Sequence, residues 1–429
     1  MHHQLIPKKH MHNMKKTMVR ILHRIVHWLA RQTIRTYKPY IIAITGSVGK
    51  TSAKEAIYAA LCEARRVRKT QANFNNELGV PLTILGNWHT ITRPVGWFWI
   101  RVIVGSFFKI LFPLRKQYPE VLVLEYGADR PGDIAHLLSI AHPNTGVISA
   151  IGEMPVHVEF YPSGVSSIVK EKSRLVHALN IRDSAVLNAD DPHTKLISEK
   201  IRAHIITYGC TDSADVSISH IRHIVEHNRI IGITFKLKYA GSEVPFTVQN
   251  AFSIAHAYAV ACAVAVASEY MKLNLIAIFD SIEKQYRPME GRSVILKGIK
   301  NTQVIDESYN SSPLALETAL KTMQLVAHTR RVAVLGDMLE LGSFSIEAHE
   351  KAGILAAQCI DVLITVGSRA KLIAQKAIEK GMYEAAVHSF DTAQEAGLKL
   401  QEIMKAGDII LVKGSHSLEL DKVVEEVRA

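Results

Sequence analysis

Three short stretches hold most of the groups able to do chemistry. Residues 45–52 read TGSVGKTS, with Gly46 and Gly49 around Ser47, then Lys50 and the hydroxyls of Thr51 and Ser52. Glycines let backbone N–H groups turn onto phosphate oxygens, a lysine reaches the terminal phosphates, and a Thr or Ser hydroxyl can hold magnesium. The spacing departs from G-x-x-x-x-G-K-[ST], because Ile44 stands at the first glycine position. Its place, directly after the apolar run Tyr40–Ile44 and before a helical stretch, favours a phosphate cradle over a chance turn. The second stretch is VLVLEYGADRPGDI, where Glu125 ends a buried apolar run. A strand-end carboxylate of this kind can face a phosphate loop and complete the shell of a phosphate-bound magnesium. The third, PVHVEFYPSGVSSIVKEKSRL, puts His157 after a proline-containing loop and Lys172 on the helix that follows. One histidine among 21 means little. Its spacing to the E-K-S-R helix is what gives it weight.

The elements that position these groups alternate. Apolar runs at Tyr40–Thr45, Val121–Glu125, Gly146–Ile151, Ala185–Asn188 and Ile205–Tyr208 are separated by helical stretches, the rhythm of a mostly parallel α/β sheet covered by helices. Residues 214–248 break it with short alternating strands around Gly232 and Gly241, expected as a small antiparallel extension. Proline and glycine cluster in RPMEGRS, residues 287–293, and the alternation then restarts, with strand ends near Asp306, Gly336, Gly367, Phe390 and Gly414. The expected organisation is a basic arm (1–38), a phosphate-loop central domain (39–290, with an apolar insertion at about 88–118) and a smaller Rossmann-like C-terminal domain (291–429). No internal repeat or low-complexity tract is visible.

Composition narrows the class. The 429 residues carry a net charge of +11, but residues 1–54 hold eleven Lys or Arg and no Asp or Glu. The remaining 40 basic and 40 acidic residues cancel. The four cysteines form no C-x-x-C pair, which fits a reducing, cytoplasmic setting rather than a disulfide framework or zinc ribbon. No secretory signal is evident. A helix is expected from about Met18 to Tyr37, with Arg20, Arg24, Arg31 and Arg35 on one side and Val19, Leu22, Ile25, Val26 and Leu29 on another. Such a helix either lies on an anionic membrane surface or packs on its own domain, and periodicity does not separate the two. The stretch PVGWFWIRVIVGSFFKILF, from Pro94 to Phe112, is interrupted by Arg101 and Lys109, which suits an interfacial or buried helix better than a spanning one. No nucleic-acid role is expected, since no aromatic-and-basic platform or helix-turn-helix pattern accompanies the arm.

Taken together, TGSVGKTSAKE, NFNNELGVPLTIL, LEYGADRPGDI, PVHVEFYPS with its EKS, LNADDP, EGRS, IDESYNSSP, VLGDMLELG and LVKGS run in order from about residue 40 to 415. In this the chain resembles the Mur ligases of peptidoglycan synthesis, most closely the branch adding D-alanyl-D-alanine to a UDP-muramoyl tripeptide. The resemblance implies an ATP-dependent amide ligase that activates a substrate carboxylate as an acyl phosphate. It implies that Lys50 binds the β and γ phosphates, that Thr51 binds a first Mg2+, that Glu125 is a magnesium ligand shared with the phosphates, and that His157 holds a second Mg2+. Lys172 would be carbamylated and act as a further metal ligand. Asn76 would lie near the γ phosphate, and Asn188 and Asp190 would line the nucleotide site. Arg292 and Asp306 would reach ATP phosphates and ribose from the second domain, and Lys413 and Ser415 would touch the incoming substrate. The partners implied are a muramoyl-peptide precursor and D-Ala-D-Ala or a similar amine in the cytoplasm, while the basic arm and the apolar helix suggest a lipid-linked precursor at the inner face of the membrane.

Several features depart from that pattern. Only the basic arm precedes the loop, so the family's N-terminal UDP-binding domain is expected to be missing. The H-N-x-x-N signature reads FSIAH at 252–256, with Ser253 and His256 in place of adenine-facing asparagines, and SYNANP reads SYNSSP, with Ser312 for an asparagine. Two other functions compete with the leading one. A poly-γ-glutamate or folylpolyglutamate-type ligase shares the chemistry, but the GDMLELG and SYN stretches are not expected there. A non-catalytic binding protein is motivated by the altered adenine motif, and opposed by the joint presence of Lys50, Thr51, Glu125, His157 and Lys172.

Overall fold

The computed structural model describes residues 8–429 apart from 72–73, 228, 272–274 and 327–329, with side chains described from Met18 onward. The first seven residues of the arm, and Asn73 of the NFNN motif, lie outside the described residues.

Two sheets organise the chain. The first contains β1 (Tyr40–Thr45), β2 (Val67–Lys69), β3 (Val121–Glu125), β4 (Thr145–Ile148), β5 (Ser184–Asn188), β6 (His204–Gly209), β7 (Val216–Glu226), β8 (Arg229–Tyr239) and β9 (Ser242–Gln249). Their spatial order is β2-β3-β1-β4-β5-β6-β7-β8-β9. Pairing is parallel as far as β7 and antiparallel from β7 to β9. The second sheet contains β10 (Val294–Gly298), β11 (Thr302–Glu307), β12 (Arg331–Gly336), β13 (Val362–Val366), β14 (Val387–Phe390) and β15 (Ile409–Lys413). Its order is β10-β11-β15-β12-β13-β14, with only β10 antiparallel.

The central strands read as unbroken apolar runs because helices cover both faces of a parallel sheet. Among those helices are α1 (Lys8–Tyr37), α2 (Lys50–Leu61), α3 (Gly79–Leu85), α4 (Val95–Leu111), α5 (Asp133–Ile140), α6 (Val165–His177), α7 (Thr194–Ser198), α8 (Ala255–Met271) and α9 (Leu275–Gln285). The C-terminal set is α10 (Pro313–Gln324), α11 (Ser345–Cys359), α12 (Lys371–Glu379), α13 (Ala393–Ile403) and α14 (Asp421–Val427), one after each of β11 to β15. The alanine-rich α8 is buried over almost its whole length against α2, which its small side chains permit.

The structure revises three expectations. The strands of residues 214–248 are long, and Gly232 is not a turn. It sits within β8 opposite Gln249, where an added Cβ would come within 2.3 Å of the Val248 carbonyl oxygen. The antiparallel edge strand β10 gave no separate signal in the sequence. On α1 the expected apolar stripe divides: Val26 and Leu29 are buried, while Val19 and Ile25 are exposed.

The two domains pack directly on each other. Val156, Ile230 and Phe252 of the central domain join the C-terminal core with Ile305, Leu316 and Leu341. This contact forms the floor on which a cleft between the sheets is built.

Candidate active site

The strand order decides where the cleft opens. β1 lies between β3 and β4, so the chain leaves β1 where neighbouring connections diverge, and ligands bind outside such a point in open α/β sheets. In the turn that follows, Gly46 and Gly49 adopt φ of 148° and 84°, conformations that favour glycine. A Cβ on Gly46 would lie 2.1 Å from Ser149 Oγ. The Ser47 and Val48 N–H groups donate to the Ala150 carbonyl at 2.6 and 3.2 Å, which braces the loop on the end of β4. Helix α2 then starts without a side-chain cap, so its first N–H groups suit a phosphate.

Charges converge on this loop. Lys50 Nζ donates to the Gly46 carbonyl at 2.8 Å and lies 3.4 Å from the Ser47 carbonyl. Lys172, projecting from α6 and 1% exposed, donates to the same Gly46 carbonyl at 3.0 Å. Two ammonium groups thus share one acceptor in a buried site. Burial, and then repulsion from Lys50, push Lys172 down to about 7. Burial also lowers Lys50, against the pull of Glu125.

Glu125 stands opposite Ile44 in the β1–β3 register, which carries its carboxylate to the mouth of the loop. Its Oε2 accepts from Thr51 Oγ1 at 3.2 Å and lies 3.4 Å from the buried Lys54 ammonium. Its Oε1 accepts from Asn75 Nδ2 at 3.2 Å. Burial alone would raise this carboxyl, but Lys54, Lys50, Asn75 and Arg292 outweigh it and hold the group below its ordinary value. It is therefore a carboxylate at neutral pH. His157, at a left-handed φ of 69°, is lowered to about 4, mainly by burial, so its imidazole is neutral near pH 7. Its Nδ1 lies 2.5 Å from Glu340 Oε2 and its Nε2 3.5 Å from Asp129 Oδ1.

The C-terminal domain supplies the opposite wall. Arg292 stacks on the Tyr309 ring with its guanidinium carbon 4.0 Å from the centroid, and an NH2 reaches across to Thr51 Oγ1 at 3.5 Å. Glu307 and Lys413, paired in the β11–β15 register, form a buried 3.0 Å ion pair at the ends of their strands. Lys413 also donates to the Asn310 carbonyl.

Ser47, Gly49, Lys50, Thr51, Ser52, Glu125, His157, Lys172, Arg292 and Lys413 all line one cavity of about 530 Å3. Asn188 and Asp190 line an adjoining cavity of about 600 Å3, which meets the first along Val48, Gly49 and Ala255. There the Asp190 carboxylate is held by Tyr258 OH at 2.7 Å and by the Cys210 and Thr211 N–H groups. Ser253 and His256 also face the main cavity, with the buried His256 held between Tyr286 OH and the Ser293 carbonyl.

Three expected residues are placed elsewhere. Asn76 is exposed, and its Oδ1 accepts the Leu78 and Gly79 N–H groups at the start of α3. The neighbouring Asn75 is the one that reaches the cleft. Asp306 is buried behind the wall, where it accepts from Gly291 N at 2.7 Å and Ser308 Oγ at 2.6 Å, so it fixes the turn that carries Arg292. Ser415 Oγ accepts from Leu339 N at 3.1 Å and does not line the cavity. Ser312 lines the cavity while also capping α10, accepting from Ala315 N at 3.4 Å. The residues that sequence reading missed are Asn75, Lys54, Tyr309, Glu307, Asp129 and Glu340. All six sat inside the quoted motifs, but that Glu340 of VLGDMLELG meets His157 follows only from the domain packing.

Magnesium fits this donor set in a particular way. Among the described residues no three His, Cys, Asp or Glu form a ready metal site. A hydroxyl, one carboxylate and one neutral imidazole around a phosphate loop make an incomplete shell that phosphate oxygens would complete.

A phosphate-loop domain joined to a Rossmann-like domain, with cations from both on one cleft, defines an ATP-dependent ligase. The Mur ligase middle domain profile matches residues 44–90 and 106–264, and the Mur ligase glutamate ligase domain profile matches residues 291–416. The chain belongs to the Mur ligase family. The UDP-N-acetylmuramoyl-tripeptide–D-alanyl-D-alanine ligase of Bacillus subtilis is 27% identical over 411 residues, covering 93% of this chain and 78% of the relative. The ligase of the same name from Synechocystis is 28% identical, covering 96% and 79%. The crystal structure of MurF ligase from Thermotoga maritima in complex with ADP superposes with a TM-score of 0.76 at 23% identity, over 94% of this chain and 83% of that one.

Proposed function

We propose that this protein joins D-alanyl-D-alanine, or a similar amine, to the carboxylate of a muramoyl-peptide precursor at the expense of ATP. The observation that carries the ATP chemistry is the convergence of Lys50, Glu125, His157 and Lys172 from one domain with Arg292 and Lys413 from the other on a single cavity. The choice of substrates rests on the relatives of that name at 27% and 28% identity.

In this reading the loop and Lys50 hold the β and γ phosphates while Arg292 closes over them. A substrate carboxylate oxygen attacks the γ phosphorus, the bond to the β–γ bridging oxygen breaks, and ADP leaves. The neutral amine of the second substrate then attacks the acyl phosphate carbon. Inorganic phosphate departs, the amide forms, and the amine nitrogen loses a proton. Repulsion between the carboxylate and the triphosphate is the main electrostatic obstacle, and fixed cations in a closed cleft reduce it. Magnesium, when bound by Thr51, Glu125 and His157, neutralises phosphate charge. Lys172 is proposed to take up CO2 as a carbamate. A buried amine lowered to about 7 is substantially neutral, and only the neutral amine reacts with CO2. The carbamate replaces a cation beside Lys50 with an anionic ligand. Asn188 and Asp190 are assigned to the nucleoside side of the cleft. The free cysteines and the use of ATP fit the cytoplasm.

The test is phosphate release from ATP with magnesium, a panel of muramoyl tripeptides, and D-alanyl-D-alanine. Turnover that needs both substrates and yields an amide product of the summed mass is the expected result. ATP binding with turnover on glutamate chains instead would replace this reading with the polyglutamate-type ligase.

A further inference from the structure

Helices α1 and α4 pack on α3 through Val26, Leu29, Leu82, Leu85, Phe98 and Val102. A second stripe on each helix faces outward and is just as apolar. On α1 it is Met18, Ile21, Ile25 and Trp28, at spacings of three, four and three. On α4 it is Trp97, Ile100, Val104, Phe107, Phe108 and Leu111. Trp97 is 66% exposed, Phe108 56% and Trp28 51%. Between the stripes, Ile25, Trp28, Val104 and Phe107 line an open groove of about 480 Å3 with Arg24 at its side. Solvated helices put polar residues outward, so two adjoining apolar outer faces mark a surface made to be covered.

We infer that this face docks the enzyme onto an anionic lipid bilayer, lying in its interface. Charge argues for that occupant. Residues 18–38 contain Arg20, Arg24, Arg31, Arg35 and Lys38, residues 86–118 contain Arg93, Arg101, Lys109, Arg115 and Lys116, and neither stretch has an Asp or Glu. Basic side chains flanking Trp, Phe and Ile suit the headgroup and acyl boundary of an anionic membrane. The same cations oppose a second copy, because a symmetric pair would set one basic face against another. No helix among the described residues is long and apolar enough to cross a membrane, so the contact is interfacial. Residues 1–43, which carry α1, and residues 91–105, which carry the first part of α4, fall outside both family profiles. It adjoins the site, since Phe74 packs against the same cluster and the next residue, Asn75, holds Glu125.

The experiment is co-sedimentation of the full chain with phosphatidylglycerol–phosphatidylcholine vesicles and with pure phosphatidylcholine vesicles, at low and high salt. Two variants accompany it, Trp28→Ser/Trp97→Ser/Phe108→Ser and Arg20→Gln/Arg24→Gln/Arg31→Gln. All six side chains are exposed, and a thermal shift by ATP checks the fold of each variant. Wild type is expected to sediment with the anionic vesicles at low salt, and each variant to bind at least about tenfold more weakly. Wild type left in the supernatant, equal retention on neutral vesicles, or unchanged retention of the apolar variant overturns the inference. So does a solution dimer that the apolar variant dissociates. None of these readings depends on which amide the enzyme makes.

Discussion

The two walls of the cleft are built differently. On the central wall the charged groups gather around the phosphate loop. The phosphate loop caps β1, Glu125 ends β3, and Lys172 lies on α6 against the loop backbone. On the C-terminal wall the reaching groups depend on supports. Arg292 is aimed by a turn fixed by Asp306 and by the Tyr309 ring, and Lys413 is tied to Glu307 and Asn310. The loop, Glu125 and Lys172 are thus held within one domain, whereas the other wall reaches them only while the domains are packed together. That division places the reacting groups between two packed domains, which excludes water from the site.

Substitutions on each wall test the contrast. Lys172→Ala should have the largest effect, lowering ATP turnover by on the order of 10²- to 10³-fold while ATP still binds. Added short carboxylates should restore part of the rate if the missing group is a carbamate, and no restoration at any concentration would remove that role. Arg292→Ala should cost about tenfold to a hundredfold, mostly as a raised KM for ATP, because it reaches the phosphate loop at Thr51 from the other domain. Arg292→Lys should recover little, since an ammonium lacks the planar face that stacks on Tyr309.

Acid should act on the central wall through Lys172. With the amine at about 7, roughly a tenth is neutral at pH 6 and about nine-tenths at pH 8, so CO2 uptake should rise about tenfold across that range. Carbon-13 NMR of protein under labelled CO2 reads this directly, with Lys172→Arg as the blank. A signal independent of pH would contradict the lowered amine. The smallest effects separate two adjacent asparagines. Asn75→Ala removes a hydrogen bond to the Glu125 carboxylate and should cost about 1.5–3 kcal/mol of interaction there, read as weaker magnesium-dependent ATP binding. Asn76→Ala removes only the two N–H contacts that start α3, so about 1 kcal/mol of stability is expected, with turnover within about twofold of wild type. Equal losses of turnover in the two variants would return Asn76 to the site.

Much of the fold was readable because a buried parallel strand must be apolar throughout. β1, β3 and the five strand ends of the second sheet fell where those runs and their turn residues indicated. Lys50, Thr51, Glu125, His157 and Lys172 were legible as candidates because short motifs carry them, and all five line the one cavity. The misassignments share one cause. Asn75 and Asn76 are identical in type and adjacent, and only the turn into α3 decides which one faces Glu125. Asp306 carries a charge suited to a ligand, but the positive-φ turn at Gly291 claims it. Gly232 resembles a turn residue and instead serves the close approach of β8 to β9.

The sequence by itself determined the phosphate cradle, the alternation of strand and helix, and the basic, acid-free character of the segments that became α1 and α4. These depend on residue type, spacing and local backbone preference. Only the tertiary structure decided that Lys50 and Lys172 share the Gly46 carbonyl, that Glu340 approaches His157 from the other domain, and that α1 and α4 turn apolar faces outward side by side. Periodicity fixes what lies on each face of a helix, but which face meets the core is settled by packing with elements distant in the chain.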